Sequence, residues 1–136
     1  MTIRSYSNGP RTAVEAITAG YLCGIASGQV DLLDDSGQTT VVTVTPLGVA
    51  ATDAAANGEI AVVDFGEVDV VAGTGGLAQG QSFVAEAGTG KALPFAKATY
   101  TDGQEVWIVG RALEAIAANA TGRAFVQPQL ITISKP

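Results

Sequence analysis

The sequence predicts an all-β fold: a small antiparallel β-barrel or sandwich with an extended N-terminal arm and at most short helical turns. Turn signals arrive every roughly 8–12 residues, the spacing of antiparallel sandwiches and barrels. Between them lie short runs dense in β-branched residues, several alternating polar and apolar. The 136 residues suit one domain. Hydrophobic residues make up 47% of the chain but aromatics only 6%, so Ala, Val, Ile and Leu must form the core. Small side chains bury little area each, and such a domain gains from burying more surface against neighbours.

Residues 1–12 read as an arm, followed by a single β-domain over 13–136. Ser5, Ser7, Asn8, Gly9 and Pro10 punctuate the arm, and no periodicity persists through it. Arg4, Tyr6 and Arg11 stand out from that polar background. A terminus of this kind is mobile unless a partner ties it down. Tyr6, an aromatic with no core of its own, is read equally as a partner contact or as part of a disordered tail.

The strands follow in order. Ala13–Ile17 and Tyr21–Ile25 precede Gln29–Leu33, which runs into the turn Asp34-Asp35-Ser36-Gly37. Thr39–Thr45 is the densest β-branched run and is closed by Pro46. Gly58–Phe65 and Glu67–Val71 come next, then the glycine loop Gly73–Gly76 and a strand over Gln81–Ala85. Lys91–Pro94 and Ala96–Tyr100 are short segments around turns. Glu105–Leu113 reads as a long central strand, and Arg123–Val126 continues past Pro128 to Ile133. The Ala-rich stretches Thr52–Ala56 and Leu113–Ala120 predict short helical turns. Trp107, Phe65, Phe83, Phe95 and Phe125 are expected as the heavy core pieces.

An internal echo links two parts of the chain. Leu47-Gly48-Val49-Ala50 leads through an Ala- and Asn-containing connector to Gly58-Glu59-Ile60-Ala61-Val62. Val109-Gly110-Arg111-Ala112 leads through a similar connector to Gly122-Arg123-Ala124-Phe125-Val126. Two copies predict pseudo-symmetric parts of one sheet system rather than a solenoid, which needs three or more units.

Charge and composition narrow the function. Seven Lys and Arg against 13 Asp and Glu give a net charge of −6, the wrong sign for nucleic acid or an anionic membrane surface. With no His, imidazole acid–base and metal chemistry is absent. The lone Cys23, set among Leu22, Gly24 and Ile25, predicts a buried inert thiol and no intrachain disulfide. The segment Met1–Ser5 lacks a signal peptide's hydrophobic stretch, which predicts a soluble chain made in the cytoplasm.

No motif carries a reaction. Gly88-Thr89-Gly90-Lys91 departs from a phosphate loop: Ala92 replaces the magnesium-binding hydroxyl and Pro94 follows where a helix should open. Gly73–Ala78 loosely fits a dinucleotide fingerprint without a following helix. Asp31, Asp34 and Asp35 have simpler grounds in turn formation than in cation binding. Glu67 and Asp69 share a strand face and read as solvated. The expectation is a non-enzymatic chain with no cofactor and no metal.

The elements Ala19–Ile25, Pro46–Val63 and Val109–Val126 resemble the small capsid decoration (cement) proteins of tailed bacteriophages, a likeness running over roughly residues 13–133. The resemblance implies a β-barrel or β-tulip-like domain on the outer surface of the head, bound to the major capsid protein across capsomer junctions, often as a homotrimer. It also implies an N-terminal arm reaching over the shell, and Ile3, Arg4, Tyr6 and Arg11 are the expected capsid contacts, with Arg pairing to carboxylates. Other readings are a different virion β-domain, such as a head fibre or tail-tube component, and a small-molecule-binding barrel or lyase-like enzyme, which requires a pocket with convergent polar groups.

Overall fold

The computed structural model describes residues 4–6, 11–33 and 45–136. The expected turn at Asp34–Gly37 and, apart from Thr45, the expected strand at Thr39–Thr45 lie outside the described residues, as does Ile3. The architecture is nearly all β, with no α-helix among the described residues. Eleven strands form among the described residues: β1 (Arg4–Tyr6), β2 (Arg11–Thr12), β3 (Leu22–Ala26), β4 (Gln29–Leu32), β5 (Thr45–Ala50), β6 (Glu59–Ile60), β7 (Val62–Val71), β8 (Ser82–Ala85), β9 (Ala92–Pro94), β10 (Glu105–Ala112) and β11 (Thr121–Thr132). Eight of them make a curled antiparallel sheet, a half-barrel, in the order β4-β3-β5-β7-β11-β10-β8-β9. Off that path β1 pairs with β7, and β2 pairs with β6.

The echo in the sequence is a repeat in the backbone. Ile17 and Ala54 exchange both their N–H···O bonds, and so do Leu77 and Ile116. Gly20 N donates to Ala50 O, as Gly80 N does to Ala112 O. Asn57 N donates to Ala13 O and Asn119 N to Ala72 O, and both asparagines are left-handed, at φ of 65° and 63°. Even the side-chain clamps correspond. Ala61 N donates to Thr52 Oγ1 at 3.2 Å, and Arg123 N to Glu114 Oε2 at 2.9 Å.

These matches define two tandem units sharing one strand. In the first unit Arg11 and Thr12 pair with Ile60 and Glu59. In the second, Val70 and Val71 pair with Gly122 and Thr121 in the same arrangement. Strand β7 therefore closes the first unit and opens the second. Each unit also caps its own sheet edge: Val14 N donates to Val30 O beside β4, and Gly73 N to Ala92 O beside β9. An edge covered this way offers no template for further strand pairing.

The Ala-rich connectors are bends rather than helical turns. A two-bond bridge to Ile17 or Leu77 fixes the middle of each one, and a left-handed asparagine follows, a conformation Asn tolerates better than most residues. The only 3-10 turn among the described residues is Lys97–Thr99, within the short segment expected at Ala96–Tyr100. Val62–Val71 runs as one strand through Gly66, where two were expected.

Small aliphatic residues fill the main core, as the composition requires. Leu22, Val49, Val63, Val68, Val70, Val109, Val126 and Phe83 pack together between the units. A second cluster, around Ile17, Cys23, Val30, Ile60 and Val62, lies in the first unit. A third gathers Val84, Val106 and Ile133, with Phe95 stacked on Tyr100 at 5.6 Å. The aromatic expectation is corrected here. Phe83 is fully buried, Trp107, Phe95 and Phe125 are half-buried, and Phe65 is 45% exposed. A break in strand alternation decides it: the pairing with β1 skips Asp64, so Val63 and Val68 both take core positions of β7 and Phe65 falls on the other face with Asp69.

Candidate functional site

Charged and aromatic side chains gather on the outer face of the second unit, where β7, β11 and β10 lie side by side. Direct cross-strand pairing aligns Glu67, Phe125 and Arg111 in one row. The neighbouring row pairs Asp69 with Arg123, whose Nε lies 3.4 Å from Asp69 Oδ1. Both partners are solvated, so that ion pair contributes only ~0–1 kcal/mol. Arg123 Nη1 is buried without a hydrogen-bond acceptor among the described residues. The ring of Phe65 meets Phe125 edge-to-face, with centroids 5.3 Å apart and planes at 82°.

Beside Phe125 runs an open groove of about 120 Å³, walled by Ile108, Arg111, Gln127 and Gln129. Gly110 also lines it and has no room for a side chain, because a Cβ there would strike the carbonyl oxygen of Phe125. Arg111 is exposed, and no ion pair or hydrogen bond engages its guanidinium among the described residues. Arginine beside aromatic rings is the combination that anchors protein interfaces. A second groove, about 180 Å³, lies where the units meet, among Gly20, Ala50, Val68, Asp69 and Thr121. Asp69 is the one charged side chain in it.

The expected contact residues are placed differently. The backbone of Arg4–Tyr6 pairs with Gly66, Phe65 and Val63 of β7, with a bulge between Ser5 and Tyr6. Arg11 pairs with Ile60 and is half-buried. Arg11 thus lies on the two-stranded β2-β6 ladder, and Arg111 and Phe125 lie on the main sheet.

The motifs set aside above have structural work. Glu86 ties two loops together: its Oε2 accepts from Thr74 N at 2.9 Å and its Oε1 from Thr89 Oγ1 at 2.6 Å. These hydrogen bonds, from Thr89 first and then Thr74, hold the Glu86 carboxyl below its ordinary pKa. The glycine loop at 73–76 and the turn at 88–90 are thereby two ends of one clasp. Lys91 Nζ donates to Asn119 Oδ1 at 2.8 Å. Among the described residues, no three His, Cys, Asp or Glu side chains gather in a metal-binding cluster.

Cys23 is fully buried, and desolvation pushes its thiol up to about 12. Thiolate is the reactive form, so alkylating reagents at pH 8 should leave Cys23 untouched in the folded protein and label it on unfolding. The raised value also makes stability pH-dependent. A thiol that ionises more readily unfolded than folded holds its full contribution below about pH 8.5 and loses it progressively towards pH 12. Thermal melts across that alkaline range should fall more steeply for the wild type than for Cys23→Ala.

No known protein family matches this sequence, and no curated protein does. Among solved structures, the head fiber gp8.5 N base of bacteriophage phi29 is similar. It shares 14% identity at a TM-score of 0.57, over 93% of this chain and 95% of that one. The two share a fold.

Proposed function

We propose that this chain is a non-enzymatic structural protein of a tailed-bacteriophage virion, a decoration protein made in the host cytoplasm that binds the outer surface of the head. It clamps the major capsid protein across capsomer junctions and works as a homotrimer. The observation that carries the reading is the fold shared with a phage head-fibre base over nearly the full length of both chains. The decoration-protein resemblance of Ala19–Ile25, Pro46–Val63 and Val109–Val126 points the same way. Physical chemistry supports it too: a domain that binds the assembled shell and not free subunits stabilises the shell by mass action. A chain of net charge −6 also stays soluble at high copy number before docking.

A second reading, the base domain of a head fibre, is favoured by that same likeness. Copy number separates the two. Purified particles of a decorated head should carry this chain in large stoichiometric excess over portal and tail proteins. A count comparable with those proteins selects the fibre base, and absence from mature particles refutes both.

A further inference from the structure

We propose that the outer face of the second unit, together with the free edge of β11 past Val126, is the docking surface for an extended, carboxylate-bearing segment of the shell protein. The inference rests on the virion reading above and adds which surface engages the shell and the chemistry of what it takes.

The internal repeat shows what belongs there. Val49 and Val63 form a cross-strand pair in the first unit, and Arg111 and Phe125 form the corresponding pair in the second. Val49 and Val63 are fully buried, because the second unit packs on them. Their counterparts have no third unit to cover them, so Phe125 is half-buried and Arg111 is exposed. Between the matching strands β7 and β11 the contrast is sharper. Val68 is 3% exposed, whereas Leu130, which follows Phe125 in β11 as Val68 follows Val63 in β7, is 46% exposed.

The backbone is open at the same place. Pairing between β7 and β11 stops at Gly66 and Val126, and among the described residues no strand adjoins that edge of β11 beyond it. Ile133 donates to Gln104 O and accepts from Gly103 N, so both its backbone groups face β10. Strand alternation then turns those of Leu130 and Thr132 to the opposite, unpaired edge. Pro128 stands on that edge with no N–H to leave unsatisfied. Such an edge binds an extended peptide by main-chain hydrogen bonds.

The side chains specify the occupant. Arg111, Gln127 and Gln129 are donors around a groove that Ile108 and Phe125 also line, and Arg111 has no anion among the described residues. An Asp or Glu in the incoming segment supplies one, with bidentate geometry available to the guanidinium. A second copy of this chain fits poorly. In the first unit the corresponding strand side is taken by its own Arg4–Tyr6 and Arg11–Thr12, and β4 and β9 are capped by Val14 and Gly73.

Heads purified from phage lacking this chain, titrated with the recombinant full-length protein, provide the test. Arg111→Glu and Leu130→Lys should each weaken binding at least tenfold, the scale of an interface hot spot, with thermal midpoints unchanged because both side chains are exposed. A photoreactive p-benzoylphenylalanine replacing Leu130 should cross-link to an acidic stretch of the shell protein. Wild-type binding equalled by both variants, or cross-linking to a second copy, overturns the docking surface and leaves the virion reading standing. Wild-type protein that does not bind heads overturns both.

Discussion

Gly48→Ala and Gly110→Ala should each destabilise the folded protein by about 3 kcal/mol, the upper part of the range for overpacking a core. The two glycines are repeat counterparts, and the reason is the same at both. A Cβ on Gly48 would strike the carbonyl oxygen of Val63, and a Cβ on Gly110 that of Phe125. The obstacle in each case is backbone of the neighbouring strand, which cannot swing aside as a side-chain tip would. Relief requires β5 to part from β7, or β10 from β11, at the corresponding ladders of the two units. Urea titration should show a lower midpoint with an unchanged slope, and the thermal midpoint should fall by about 10 °C. Gly28→Ala is the control for glycine replacement in general: its Cβ meets nothing within 4 Å, although its φ of 79° adds backbone strain.

Phe83→Ala should cost about 3–5 kcal/mol, the range for deleting a buried aromatic ring. Phe83 is the largest fully buried side chain among the described residues, in a core cluster otherwise made of Val, Leu, Ile and Ala. A cavity there has few long neighbours able to collapse into it. Phe65→Ala is the informative contrast. That ring is 45% exposed, touches Phe125 by its edge, and should cost less than half as much. Comparable losses at the two positions would show that the sheet buries both faces.

Much of this fold was legible in the residues. The strands over Leu22–Ala26, Gln29–Leu32, Ser82–Ala85 and Glu105–Ala112 lie where β-branched and alternating runs predict them. The connectors were misread because Ala favours a helix only when nothing else claims its backbone, and the bonds to Ile17 and Leu77 claim it. The pairing of Arg4–Tyr6 and Arg11–Thr12 left no trace in the polar N-terminal sequence, since main-chain bonds ask little of side chains.

The candidate docking face is a different case. Its signal was present in the repeat, at one position of the shared pattern: Leu47-Gly48-Val49-Ala50 against Val109-Gly110-Arg111-Ala112. Val in one copy and Arg in the other mark a site buried in the first unit and open in the second. Only the packing of one unit on the other, which joins Val49 and Val63 to the inter-unit core, tells which copy is covered. Aromatic placement failed for a related reason. Each ring sits in an apolar run, and the choice between two faces of a curled sheet is made by the strands beside it.

On the proposed reading this domain resides on the outer surface of the head. A cryo-electron reconstruction of the mature particle tests that directly. It should show a half-barrel of two tandem units seated outside the capsid floor at the junctions between capsomers, with the Arg111 and Phe125 face turned towards the shell protein. Heads whose outer surface carries no such density, in particles shown by mass spectrometry to contain every other structural protein, would contradict it.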